Sequence, residues 1–338
     1  MPAQDLAVAD PPDVAAPRRR YRRLIGRSAV FAAVVCVVVL FRDRLPDPAE
    51  VWGLITRADP MWLGVAVAAE AASMRAFATL LRHLLVAGGI HLSLPRAMAV
   101  TYARNAVSSS LPGGQILSVA YTTRQFRRVG ASPAVIAATL VLTSVFSTLT
   151  FLALGVVALL AEPATRTTAM WVFAGAGSAL ALAVVFLPER RPRPARHGPR
   201  LTALLDAVCA ARSAITLTRR DRLVLPAVAL LNWLLDIACL AAVCAATGVS
   251  VGTHTVLLGY VAAKAAGVLA LLPGGLGVTE IGMAATFAGA GLGLPAAAAV
   301  VAIYRLISYW AVLIVGWCAW LALNVSGTAA RPGPPPSR

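Results

Sequence analysis

The segment PAVIAATLVLTSVFSTLTFLALGVVALLA, residues 133–161, is one long apolar run with neither strand alternation nor a stripe of period 3.6. A helix that is apolar on every side is buried deep or sits in lipid, and this run exceeds the roughly 20 residues that span a bilayer. Thr168–Leu187 is a second run of the same kind. Backbone groups in lipid must pair internally, and Ala/Leu/Val-rich runs without alternation choose helices over a barrel. The rest of the chain agrees: its 338 residues are 59% hydrophobic and 13% charged, with a mean hydropathy of +0.77. A soluble chain of this length carries about a quarter charged residues. The sequence therefore predicts an all-α integral membrane protein and excludes a soluble globular domain.

A net charge of +16, from 30 Lys+Arg against 14 Asp+Glu, invites a nucleic-acid reading. The distribution argues otherwise. Basic residues crowd into Arg18–Arg27, Arg82–Arg128 and Arg190–Arg222, blocks that flank apolar spans as cytoplasmic loops do under the positive-inside rule. Five cysteines (Cys36, Cys209, Cys239, Cys244, Cys318) include no CxxC, and four lie in apolar segments. Four scattered histidines offer no ligand pair, so neither a metal site nor a cofactor is expected.

The charge pattern sets a topology. Residues 1–23 form a Pro/Ala/Asp-rich and then basic segment, expected to be disordered as far as the arginine cluster, and the tail 326–338 is expected to be disordered and Pro-rich. Between them, 24–325 is one transmembrane domain. Span 1, about Leu24–Phe41, reads as a retained signal anchor. Span 2 covers about Met61–Leu81, span 3 about Pro133–Leu160 and span 4 about Thr168–Leu187. A basic cytoplasmic segment, 188–222, includes an expected surface helix near Leu201–Leu217. Span 5 covers about Leu223–Thr247 and span 6 about Pro295–Leu323. Both termini fall on the cytoplasmic side of a cell membrane crossed about six times.

Two stretches fit no span. Pro95–Arg128 is apolar for about 15 residues, breaks at Leu111-Pro112-Gly113-Gly114, and resumes. Its first arm is roughly 22 Å long at 1.5 Å per residue, short of a hydrocarbon core near 30 Å. Arginine flanks both ends (Arg96; Arg124, Arg127, Arg128), which predicts a re-entrant hairpin from the inside. Thr253–Gly293 repeats the design, broken at Leu272-Pro273-Gly274-Gly275-Leu276-Gly277, without positive flanks, and is predicted to enter from outside.

The halves, about 60–160 and 223–323, match beyond the Pro-Gly-Gly triplet. Pro112 lies 21 residues before Pro133, and Pro273 lies 22 before Pro295. Arg75 and Asp236 each lie 37 residues before their hairpin's proline. The expected architecture is an inverted repeat, as in many transporters, with broken backbone lining a wet cavity near the midplane.

Ionisable groups inside spans are functional candidates by default. Here they are Glu70 and Arg75 in span 2, Arg104 (beside Asn105) in the first hairpin and Asp236 in span 5. Lys264 and Glu280 stand on the two arms of the second hairpin, and Arg305 lies about 15 Å into span 6. Each break ends an entering arm at proline, and the glycines Gly113, Gly114, Gly274, Gly275 and Gly277 permit turns closed to other residues. The returning arm then starts with free N–H groups, a seat for an anion. With Arg104, Lys264 and Arg305 nearby, that anion is expected to be a lipid phosphate.

At these residues the chain resembles the lysylphosphatidylglycerol synthase transmembrane-region family, also called flippase-like domain proteins. The resemblance is carried by Leu272-Pro-Gly-Gly-Leu-Gly-Val-Thr-Glu280, by Pro295 with Arg305-Leu-Ile-Ser-Tyr-Trp310, and by Asn105 with Leu111-Pro-Gly-Gly114. It covers about residues 25–325 and implies translocation of aminoacylated phosphatidylglycerol or other lipid-linked molecules between leaflets. Residue by residue, it points to Pro273, Gly274, Gly275, Gly277, Glu280 and Arg305. Only a short Pro-rich tail follows span 6 in this sequence, so lipid synthesis is not implied. Gln115 also follows the first glycine pair where relatives commonly carry an acid.

The function expected from all this is non-enzymatic flipping of an anionic phospholipid or lipid-linked headgroup. No nucleotide-binding loop occurs, so movement runs on a gradient or downhill. The alternative is a non-transporting membrane partner of a lipid synthase or glycosyltransferase, docked through Arg190–Arg222. A lipid-phosphate enzyme would need a His/Asp/Glu cluster, and none is present.

Overall fold

A computed structural model describes residues 48–111, 113–161, 214–269 and 273–328. Spans 1 and 4 of the sequence reading, its N-terminal segment, residues 329–338 of its C-terminal tail, most of the basic linker, and Pro112 lie outside these residues. Among the described residues every regular element is helical: α1 Pro48–Thr56, α2 Pro60–Ala87, α3 Leu94–Ser110, α4 Gly114–Arg127, α5 Pro133–Leu160, α6 Asp221–Ala246, α7 Thr253–Leu269, α8 Val278–Gly289, α9 Leu294–Arg305 and α10 Val312–Thr328. A 3₁₀ turn, Pro273–Gly275, separates α7 from α8, and a π-helical stretch, Leu306–Ala311, joins α9 to α10.

The long helices start where the chain carries its stop-and-start residues. Asp59 accepts a hydrogen bond from the Met61 N–H at 2.8 Å and Ser132 accepts from Val135 N–H at 3.3 Å, with Pro60 and Pro133 in the first turns. Among the described residues four helical stretches are long and apolar enough to cross a membrane: α2, α5, α6, and Leu294–Val325, which runs through α9, the π-helical stretch and α10. They coincide with expected spans 2, 3, 5 and 6.

Each unassigned stretch is a helix, a break and a second helix, with the two arms packed against each other. The arms α4 and α8, with 14 and 12 residues, reach only about 21 and 18 Å. Gly113 and Gly274, the residues after the two prolines, adopt the same left-handed backbone, φ 68° and 67°. L-residues with a Cβ resist that region, so both tips depend on glycine.

Where the hairpins begin and end is visible in the packing. Leu92, Ala97 and Val100 from the start of the first hairpin share a cluster with Phe126, Ala131 and Ile136 from its end, against Ala78, Leu81 and Leu85 of α2. Val256 and Phe287, from the two ends of the second hairpin, join a different cluster with Ala66 of α2 and Val243 of α6. The two hairpins therefore have their ends at opposite ends of α2. That helix runs antiparallel to α6 along its length: Asp59 N–H donates to Ala246 O at 2.8 Å, and His83 Nε2 meets Asp221 Oδ1 at 2.7 Å at the other end. The order span, arm, break, arm, span thus occurs twice, and α3 against α10 has its counterpart in α7 against α5.

Gly316 shows how closely α10 approaches α3: a Cβ there would run into the Tyr102 backbone and lie 2.7 Å from Ala106 Cβ. Gly316→Val is expected to lower stability by about 1–3 kcal/mol, the usual cost of overpacking. Thermal unfolding in detergent micelles measures it as a lower midpoint.

Candidate functional site

The hairpin tips meet. Tyr309, in the π-helical stretch, donates its hydroxyl to Ser109 O at 3.0 Å, bridging the last span to the end of α3, and the 3₁₀ turn packs on α3 as well. Between the tips lies a cavity of about 410 Å³. The first hairpin lines it with Asn105, Ser109 and Gln115, the second with Lys264, Gly274 and Thr279, and the last span with Arg305 and Tyr309. Among the described residues its wall carries two cations, Lys264 and Arg305, and no carboxylate.

The acids stand behind those cations. Arg305 Nε donates to Glu280 Oε1 at 2.6 Å, and a terminal nitrogen (Nη2) donates to Gly274 O at 3.2 Å. The guanidinium lies 4.3 Å above the Tyr309 ring centroid. Glu280 spends its second oxygen on the Gly277 N–H at 2.7 Å, capping α8. One arginine thus fastens the returning arm, the turn carbonyl and the π-helical stretch together. π-Helical turns interrupt helices mostly at functional sites, and this one begins immediately after Arg305.

Lys264 is held differently. Its Nζ lies 3.0 Å from Asp236 Oδ2, and Tyr260 and Tyr304 donate to the two Asp236 oxygens at 2.7 Å each. Asp236 is 8% exposed and Glu70 7%. Glu70 interacts electrostatically with Asp236 and Lys264, and its Oε2 has no hydrogen-bond partner among the described residues. Helices α2, α6, α7 and α9 thus converge on one buried polar cluster that borders the cavity at Lys264 and Tyr304.

The sequence candidates have distinct settings. Lys264 and Glu280, on the two arms of one hairpin, are paired with Asp236 of α6 and Arg305 of α9 respectively. The anion seat expected at the start of α8 is partly filled by Glu280's own carboxylate. Arg75 is exposed on α2, and no ion pair joins it to Glu70 among the described residues: five residues along a helix put the two on different faces. Arg104 stacks over Phe77 at 5.4 Å and does not line the cavity; Asn105 beside it does, with its Oδ1 accepting from Ser109 Oγ at 3.3 Å. Gly113 and Gly114 form the first turn, and Gly274, Gly275 and Gly277 the second. Pro273 opens the 3₁₀ turn, whereas its counterpart Pro112 is outside the described residues.

A search for charge missed Tyr260, Tyr304, Tyr309 and Ser109. The available signal was a hydroxyl inside an apolar span, which must find a partner where water is absent. Gly274 matters beyond its backbone angle, since a Cβ would meet the Tyr309 ring. Gly274→Ala is expected to cost about 1–2 kcal/mol for the left-handed backbone alone. It should also push Tyr309 off Ser109. A lower unfolding midpoint, only partly recovered by pairing the change with Tyr309→Ala, checks both effects.

Among the described residues no group of three or more His, Cys, Asp or Glu is placed to hold a metal ion. The arrangement places two cations, each paired with an acid behind it, on the wall of one cavity. No curated protein matched the chain. The family model for the lysylphosphatidylglycerol synthase TM region matches residues 25–316, a range that contains both hairpins, the described lining of the cavity, three of the described spans whole and most of the fourth. With most of its length matched and its apolar helices arranged this way, the chain is a multi-pass membrane protein belonging to the lysylphosphatidylglycerol synthase TM region family.

Proposed function

We propose that this protein moves an anionic phospholipid, or another lipid-linked anionic headgroup, between the leaflets of the cell membrane. The observation that carries the reading is the cavity wall: among the described residues, two cations, no acid, and contributions from both hairpin tips. In this reading the hairpins are re-entrant and dip from opposite faces, as their ends at opposite ends of α2 support. The two halves then form an inverted repeat within six spans, with both termini cytoplasmic. Interrupted backbone at midplane depth is tolerated because it lines a wet cavity rather than lipid. The headgroup exchanges places with Glu280 and Asp236 on Arg305 and Lys264 while the acyl chains stay in the bilayer.

The test uses purified protein in phosphatidylcholine vesicles carrying fluorescent phosphatidylglycerol or fluorescent phosphatidylcholine in one leaflet, read with a membrane-impermeant quencher. The protein is expected to speed crossing of the anionic probe at least about tenfold over the zwitterionic one, corresponding to about 1.4 kcal/mol of preference. Lys264→Gln is expected to remove most of that preference. Equal crossing of both probes, or none, overturns the proposal; a change in the probe's mass would mark an enzyme instead.

A further inference from the structure

Lys264 faces two ways. Its ammonium is 3.0 Å from Asp236, yet its side chain is 34% exposed and forms part of the cavity wall. An anion in the cavity competes with Asp236 for that ammonium. When Lys264 turns to the anion, Glu70 and Asp236 are left beside each other, both over nine-tenths buried, without their cation. Two buried carboxylates side by side do not both stay ionised.

Among the described residues no other cation takes over. The titratable groups in electrostatic contact with Glu70 are Asp236 and Cys239 of α6, Tyr102 of α3, Lys264 and Tyr260 of α7, and Tyr304 of α9. Helix α5 contributes no titratable residue, and the π-helical stretch contributes Tyr309, whose hydroxyl is given to Ser109. Arg104 of α3 is directed at Phe77 and Arg305 at Glu280. A metal cation fits poorly, because hydroxyl donors already occupy both Asp236 oxygens. The open acceptor is Glu70 Oε2, buried and unpartnered among the described residues, which is where an O–H bond can form without displacing anything.

We propose that the Glu70–Asp236 carboxyl pair is a proton-binding site linked through Lys264 to the cavity, so that binding an anion draws a proton onto the pair and releasing the anion discharges it. The proton comes from solvent through the cavity and returns there. This inference rests on the anion-carrying reading of the cavity and gives it a coupling partner, a proton gradient.

Calorimetric titration of the full-length protein in micelles with short-chain phosphatidylglycerol, at one pH in two buffers of different ionisation enthalpy, counts protons taken up per lipid bound. The expected count is about one, and Glu70→Gln should reduce it to about a fifth or less per lipid bound. Lipid binding with no proton uptake overturns this proposal and leaves the transport reading standing. Absence of lipid binding overturns both. Uptake that requires sodium, and vanishes in choline buffer, also overturns it in favour of a metal cation. The wild-type buffer pair decides the matter even if the variant does not fold.

Discussion

Replacing Asp236 with alanine is expected to destabilise the folded protein by about 3 kcal/mol, near the lower end of what removing one partner of a buried ion pair costs. The lower end applies because about a third of the Lys264 side chain opens on the cavity. The loss has two sources. Lys264 loses its ion-pair partner at 3.0 Å and keeps only the electrostatic attraction of Glu70, and the Tyr260 and Tyr304 hydroxyls, buried side chains both, lose their acceptor together. Asp236→Asn should cost less, since an amide oxygen still accepts one hydroxyl. Asp236→Leu combined with Lys264→Met should recover much of the loss, because removing both charges removes the stranded one. Unfolding midpoints for the three variants in one detergent check the order. Equal losses for the double and single changes would show that the pair is not what joins α6 to α7.

Arg305→Ala is the second large effect, and it falls on transport more than on folding. The guanidinium holds Glu280, the Gly274 carbonyl and the Tyr309 ring at once. Its loss releases the second hairpin tip and removes one of the two wall cations. The crossing rate of the anionic probe is expected to fall about 100-fold, equivalent to about 2.7 kcal/mol, within the range for truncating one member of a desolvated charge pair. Arg305→Lys should recover only a minor part, since an ammonium lacks the planar fork that reaches two acceptors and stacks on a ring. Glu280→Gln discriminates further. It keeps an acceptor for the Gly277 N–H but frees the Arg305 charge toward the cavity, so it should be milder than Arg305→Ala. If the two changes are equally damaging, Arg305 acts as a structural clasp and does not meet the headgroup.

Much of this arrangement was legible in the sequence because lipid imposes simple rules. Apolar runs of sufficient length fixed α2, α5, α6 and the last span to within a few residues, and proline–glycine breaks located both tips. Glu70, Asp236, Lys264, Glu280 and Arg305 stood out because charge inside an apolar span is costly without a partner. What periodicity could not supply was who partners whom. Lys264 and Glu280 flank one break, yet each is taken by another helix, because the packing of α6 and α9 brings Asp236 and Arg305 within 3.0 Å and 2.6 Å. Pairing across a bundle depends on helix rotation, which a run of alanines and valines leaves open. The tyrosines escaped for a related reason: a ring reads as apolar in a hydropathy profile, and its hydroxyl becomes decisive only when a carboxylate is packed against it.

The central claim is that two half-crossing hairpins enter from opposite faces and meet around the cation-walled cavity. Four single-cysteine variants test it directly, in a background with the native cysteines replaced: Arg96→Cys and Arg128→Cys at the exposed ends of the first hairpin, and Thr253→Cys and Ala290→Cys at the exposed ends of the second. With a membrane-impermeant thiol reagent on right-side-out and inverted vesicles, positions 96 and 128 should label from the cytoplasmic face, and 253 and 290 from the other. Positions 96 and 128 labelling from different faces would make the first hairpin a pair of full crossings and contradict the account.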